Sequence, residues 1–165
     1  MKAEETVCFN IKTSWHAISR MYNTSGTSYD LTTASGFVLL NIDSEKGTPA
    51  TKIAPLLGME SRSLTRMLKT MEEKGIIRRK ADAKDKRMVR IFLTDEGKQK
   101  KDLARLAVLT FNTVLRESIP QEKLDIFFEV IQKINEVLEN KNIYAKAIIN
   151  NSALKQKSKN AVLTT

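Results

Sequence analysis

The chain of 165 residues carries one cysteine, one histidine and one tryptophan. A lone Cys8 excludes an intramolecular disulfide and a cysteine-rich zinc site. With His16 as the sole imidazole, there is little material for a metal centre or a nucleophile–base pair. No H-E-x-x-H, glycine-rich phosphate loop or nucleophile elbow occurs. The expectation is a protein that is not an enzyme, with no cofactor and no metal. No stretch approaches the roughly 18 consecutive apolar residues of a transmembrane helix. The first residues, M-K-A-E-E-T-V-C, lack the apolar run of a signal peptide. A cytoplasmic protein without a membrane partner is therefore expected. Acidic residues are the scarcer charge, 19 against 28 Lys and Arg, which leaves a net charge of +9. Such an excess points to nucleic acid, although membranes and acidic proteins attract cations as well.

What the chain does have is apolar residues, 41% of the total, enough for a core and too many for global disorder. Its organising stretch runs from Ser61 to Gly97. Leu64, Met67, Leu68 and Met71 recur at helical spacing, and Arg62, Ser63, Thr65, Arg66 and Lys69 fall on the opposite face. Gly75 suits the left-handed residue that commonly ends a helix. Two β-prone runs follow, I-I-R-R-K and M-V-R-I-F-L-T, separated by the charged A-D-A-K-D-K-R. Upstream, Thr48 to Gly58 reads as a short helix with Thr48 as N-cap and Pro49 at its first position, kinked or shortened by Pro55. Two helices joined by a tight glycine-containing turn form a helix-turn-helix, in which the second enters the major groove.

The segment Asp85 to Gly97, D-K-R-M-V-R-I-F-L-T-D-E-G, matches the wing signature D-x-R-x(5)-L-T-x-x-G of the MarR family of winged helix-turn-helix regulators. Leu64-Thr65-Arg66 and Met71-Glu72-Glu73-Lys74-Gly75-Ile76-Ile77 resemble that family's recognition helix and its turn into the wing. The likeness extends from roughly Phe9 to Leu138. It implies a mainly α fold with a small β-wing: a winged helix-turn-helix domain over residues 31–97, flanked by long N- and C-terminal dimerisation helices at 3–23 and 98–150. Residues 1–150 then form a single MarR-like domain, and 151–165 a basic flexible tail. The implied partners are double-stranded DNA and a second copy of the chain, with a small organic effector as a further candidate. The implied function is a sequence-specific homodimeric transcriptional regulator, in the sense of a repressor, on a pseudo-palindromic operator. A non-specific architectural nucleic-acid binder is the alternative that the same positive surface allows.

The DNA-binding set on this reading is Arg62, Ser63, Thr65, Arg66 and Lys69 on the helix, with Lys84, Asp85, Lys86 and Arg87 in the wing. Asp85 cannot favour phosphate and is assigned to holding Arg87 by an ion pair across the wing. Elsewhere, Val7, Ile11, Trp15, Ile18 and Tyr22 mark a helix over about 3–23 with Glu4 and Glu5 in its first turn, where the helix dipole favours them. A second helix is expected over about 32–44, through Phe37, Val38, Leu40 and Ile42. Thr94 caps a helix reaching about Glu117, and Ser118 with Gln121 forms a capping box for a last helix through Leu124, Phe127, Phe128, Ile131, Ile134 and Leu138. Trp15, His16, Tyr22 and Phe37 either line a cleft for a small ligand or belong to the core and helix surface. Cys8 lies near the place where some MarR-like regulators sense peroxides, but Lys12 occupies the position one turn on where such sensors carry tyrosine. A small residue near a helix start and a redox thiol both remain open for Cys8.

Overall fold

The computed structural model describes residues 2–82 and 85–139; Lys84, residues 140–150 of the expected dimerisation helix and the 151–165 tail lie outside them. The chain divides into two compact units, one up to Asn112 and one from Thr113 onwards.

In the first unit a 3-10 turn, Ala3–Glu5, precedes helix α1, Val7–Gly26. Glu4 and Glu5 therefore lie in that turn and not in the first turn of α1. The helix starts later than expected because Thr6 is its N-cap, taking the Phe9 N–H on its hydroxyl. Helix α2, Thr33–Leu40, opens with a capping box between Thr32 and Ser35. It ends before Ser44, since the Asn41 side chain folds back on the Phe37 carbonyl and Asp43 Oδ1 accepts the Glu45 and Lys46 N–H groups in a turn. Side-chain acceptors that offer the backbone a turn end helices in this way.

Thr48 is not a helix N-cap. Thr48 and Pro49 form a short strand, β1, and helix α3 begins at Ala50 and ends at Leu56. The Thr48 hydroxyl accepts from Asp43 N and donates to Asn41 O, so the turn before α3 captures it. Helix α4 is Ser61–Glu73, β2 is Ile77–Ala81 and β3 is Val89–Leu93. The sheet is antiparallel in the order β1-β3-β2, with Thr48 opposite Ile91 and Ile77 opposite Leu93. The wing thus has a third strand, at an edge where proline's missing N–H does no harm.

The core explains why α4 presents the face it does. Leu64, Leu68 and Met71 are buried with Val38, Leu39, Ile42, Ile53, Ile76, Ile77, Ile91 and Leu93, and Met67 packs against this cluster. Helix α4 is therefore seated on α2, α3 and the sheet through the apolar stripe, which leaves its basic side outward. Gly75 follows α4 with φ +71°, the left-handed residue expected there. Thr94 caps helix α5, Asp95–Ser118, by accepting the Gly97 N–H at 3.1 Å, and its hydroxyl donates to Gly75 O and Ile76 O. A Cβ on Gly97 would lie 2.0 Å from the Ile76 carbonyl oxygen. The T-x-x-G spacing thus records a close approach of the start of α5 to the turn before β2.

In the second unit, Ser118 and Gln121 do not form the capping box. Helix α6 starts at Gln121 itself and runs to Glu139. The Ser118 hydroxyl donates to Val114 O, while Gln121 accepts from Arg116 Nη1 and donates to Asp125, each at 2.7 Å. Proline between the two residues shifts the helix start, because it suits the entry to a helix and offers no N–H of its own.

Candidate nucleic-acid interface

The outward face of α4 carries Arg62, Ser63, Thr65, Arg66 and Lys69, all exposed. Their spacing places them opposite Leu64, Leu68 and Met71, each 3% exposed. Two of the five are partly engaged. The Thr65 hydroxyl donates to Ser61 O at 2.8 Å, so towards a base edge it offers its lone pairs and methyl group. Lys69 lies 3.8 Å from Glu73, an exposed pair that a phosphate can readily displace.

In the wing, Arg87 is 91% exposed and Asp85 holds it: Nε to Oδ1 at 3.2 Å, Nη2 to Oδ2 at 3.4 Å, and the Arg87 N–H to Oδ1 at 3.0 Å. The expected ion pair is present, but within the loop between β2 and β3 and not across the wing. Lys86 is exposed beside it.

The pair that does span the wing involves residues the sequence reading did not select. Arg90 of β3 meets Asp82, 3% exposed, at 2.7 Å, and its Nη1 donates to Lys46 O at 3.1 Å and Gly47 O at 3.0 Å. One planar guanidinium thus ties the end of β2, β3 and the turn before β1 together, a geometry that suits arginine's fixed fork of donors. The available signal was a charged residue inside the alternating run V-R-I-F-L. A second tie joins the wing to the reading helix: Glu72 accepts from Arg79 Nε at 2.6 Å, from the Arg79 N–H at 3.1 Å and from Nη2. The sheet's orientation is therefore referred to α4 at one end and to the turn before β1 at the other.

Carboxylates held by such contacts contribute to the acid side of stability. Hydrogen bonds from Arg79 hold the Glu72 carboxyl below its ordinary range, the Lys74 hydrogen bond and charge do so for Asp30, and the Lys46 and Glu45 N–H groups for Asp43. A carboxyl with a lower pKa folded than unfolded binds more protons unfolded, so stability rises with pH through that window. The contribution is present above the ordinary carboxyl values of about 4 and is lost as pH falls through the depressed ones. The thermal midpoint is expected to fall below about pH 4, with a shallower acid limb in Glu72→Gln. Superimposed limbs would show that the Glu72–Arg79 pair contributes nothing to it.

A cleft of about 820 Å³ lies beside α2 in the first unit. Trp15 and Phe37 form an aromatic wall, with ring centroids 5.8 Å apart; Leu56, Leu57 and Met59 supply apolar surface from the turn of the helix-turn-helix. Of the four residues proposed to line it, His16 and Tyr22 do not. His16 is exposed on α1. Tyr22 packs edge-on to Phe37 and Phe111, with centroids at 6.3 and 6.0 Å, and burial raises its pKa. Cys8 is exposed in the first turn of α1, and Tyr22 lies roughly 20 Å further along that helix at 1.5 Å per residue, beyond polarising reach. Among the described residues no three His, Cys, Asp or Glu side chains converge on a metal position, and no helix is long and apolar enough to cross a membrane.

Two helices joined by a tight turn, a three-stranded wing and a basic outward helix face define the winged helix-turn-helix class of DNA-reading folds. The MarR family pattern matches residues 31–89. The regulator SarZ of Staphylococcus aureus (strain USA300) is 33% identical over 107 residues, 64% of this chain and 72% of SarZ. The regulator TtmR of Methylorubrum extorquens (strain PA1) is 36% identical over 95 residues, 58% of this chain; the alignment spans 49%, about half, of TtmR's length. The fold is that of CouR, which has been solved from Rhodococcus jostii RHA1 bound to p-coumaroyl-CoA, with a TM-score of 0.71, 21% identity, and 81% of this chain and 94% of CouR covered. CouR, a transcriptional repressor, has also been solved bound to a 23-mer DNA duplex, at a TM-score of 0.69 and 25% identity over 80% of this chain and 94% of that one. The chain belongs to the MarR family, a family of transcriptional regulators and not of enzymes.

Proposed function

We propose that this chain is a sequence-specific DNA-binding repressor that acts as a homodimer on a pseudo-palindromic operator and is released by a small organic effector. The observation that carries the reading is the division of α4 into a buried apolar stripe and an exposed face of Arg62, Ser63, Thr65, Arg66 and Lys69, with Arg87 presented by the wing. The major groove distinguishes all four base pairs, and a helix face of hydrogen-bonding side chains can read it. The wing arginine suits an adjacent minor groove or its phosphates. CouR's complexes with duplex DNA and with p-coumaroyl-CoA are precedents in the same fold for both kinds of partner.

Exposed apolar side chains support the dimer. Val7, Phe9 and Ile11 of α1, Leu106 and Leu109 of α5, and Phe127, Phe128 and Leu138 of α6 are between 41% and 68% exposed. Exposed apolar side chains repeated along long helices suit association surfaces, and a two-fold dimer buries each against the same elements of its partner.

Competition between selected and random duplexes tests the core of the proposal; a ratio near unity leaves only non-specific binding. Arg66→Ala is expected to change which sequences are preferred and to cost about 1–3 kcal/mol on the best site where a base contact is lost. Arg87→Ala is expected to weaken all sequences evenly and to lower the salt slope by about one per phosphate contact. Asp85→Ala is expected to weaken binding although it removes a negative charge, because Arg87 is then no longer held. Tighter binding by Asp85→Ala across several salt concentrations would overturn that role.

A further inference from the structure

Among the described residues, the wall of the cleft beside α2 contains one ionisable side chain, Asp30; the remaining lining is apolar, aromatic or hydroxyl and amide. Several polar groups of the floor are matched to one another. Asn23 Oδ1 accepts from the Thr33 N–H and hydroxyl, the Thr33 hydroxyl also reaches Ser19 O, and Thr32 accepts the Ser35 N–H. The N-terminus of α2 opens here and would favour an anion, but the Thr33 and Ser35 N–H groups are taken. Lys74, the C-cap residue of α4, lies outside the wall and reaches Asp30 Oδ2 at 2.6 Å; both side chains are about half exposed or more, 46% and 65%. The nearby ammonium of Lys100 is held on the Tyr29 carbonyl and 3.6 Å from Glu96.

We propose that the cleft takes a lipophilic aromatic monocation, and that the cation replaces Lys74 as the partner of Asp30. The carboxylate of Asp30 and the rings of Trp15 and Phe37 line the same cleft, so an elongated aromatic cation can combine charge pairing with cation–π attraction. An ion pair as exposed as Lys74–Asp30 holds its partners weakly, so a cation desolvated against those rings competes well for the carboxylate. The volume is in the range that small-molecule sites occupy. Asp30 has φ +49° and ψ +45° as the residue closing the 3-10 turn Thr27–Tyr29, so the carboxylate sits on a turn whose backbone is already committed. Release of Lys74 removes a tether between that turn and the end of the reading helix. The proposal deepens the effector reading above and rests on it for the consequence on DNA, though not for binding.

Trp15 is the only tryptophan of the chain and stands in the cleft wall, so its fluorescence reports occupancy without DNA. Full-length protein is titrated with tetraphenylphosphonium and with tetraphenylborate, which share a shape and differ in the sign of charge. The phosphonium is expected to saturate the Trp15 signal at least about tenfold more tightly than the borate, against the bias that the chain's net charge of +9 gives the anion. Asparagine tolerates left-handed backbone, so Asp30→Asn keeps the turn; it is expected to weaken phosphonium binding about tenfold and abolish the discrimination. Lys74→Gln removes the competitor and is expected to tighten phosphonium binding several-fold. Borate binding as tight as the phosphonium, or phosphonium affinity unchanged in a folded Asp30→Asn protein, overturns the proposal. Phosphonium that binds as expected but leaves duplex affinity unchanged overturns the effector reading alone.

Discussion

A chain ending at Ser118 is expected to bind a selected operator about 10²- to 10⁴-fold less tightly than the full chain, while its reading domain stays folded. The core that seats α4 draws on α2, α3, α4 and the sheet, and none of its members lies beyond Leu93. Loss of α6 removes the apolar side chains Ile126, Phe127, Phe128, Val130, Val137 and Leu138, all at least 45% exposed. On the proposed dimer, those residues hold two reading helices at half-sites about one helical turn apart. A monomer engages one half-site and forfeits the effective concentration that the second gains from the first, which is the origin of the 10²–10⁴ factor. Sedimentation gives the oligomeric state and far-UV circular dichroism the fold of the remainder. A full-length chain that is monomeric at concentrations where it binds operator would defeat the dimer; a truncated chain that retains full specific affinity would remove α6 from it.

The elements that strong periodicity marks were legible. The apolar stripe of α4, the glycine after it and the Thr94 cap of α5 follow from residue spacing and fall where expected. Elements decided by competition between neighbours were not. Thr48-Pro49 reads locally as the start of a helix; only the partner strand, far along the chain at Arg90 and Ile91, makes it a strand. The end of α2 depends on Asn41 and Asp43 capturing backbone groups, which a run such as F-V-L-L-N-I does not reveal. On the candidate interface, the exposed basic and hydroxyl face of α4 and the contact of Asp85 with Arg87 could be read from charge and spacing, though not that this contact stays within one loop. His16 and Tyr22 could not be excluded from the cleft, because aromatic and imidazole groups on one helix turn by about 100° per residue and only packing shows which way each faces. The wing-spanning arginine was hidden for a related reason: its partners come from two separate segments, Asp82 after β2 and the adjacent Lys46 and Gly47 before β1.

Arg90→Met is expected to cost on the order of 3 kcal/mol of folding stability, the scale found when a buried ion pair loses one member. Asp82 is 3% exposed, and the Arg90 guanidinium lies 2.7 Å from its carboxylate. The same guanidinium donates to the Lys46 and Gly47 carbonyls, so one substitution disturbs three acceptors. Methionine retains much of the side chain's volume, which separates the electrostatic loss from a packing loss. Arg90→Lys is expected to recover only part of the stability, because a single ammonium cannot copy the fork that spans carboxylate and carbonyls. Replacing both members, Asp82→Leu with Arg90→Met, is expected to cost less than the sum of the single changes, since the two side chains interact directly and the buried carboxylate is removed together with the guanidinium that faces it. Urea unfolding followed by circular dichroism gives the three values of this cycle. The functional consequence follows from geometry: the pair fixes the wing to the turn before β1, so a loosened wing presents Arg87 over a wider range of positions. A fall in operator affinity of Arg90→Met, measured well below its unfolding midpoint, is therefore expected to resemble that of Arg87→Ala, even across sequences. A single substitution that costs less than about 0.5 kcal/mol, the range of ordinary surface changes, would show that the sheet holds the wing without this pair.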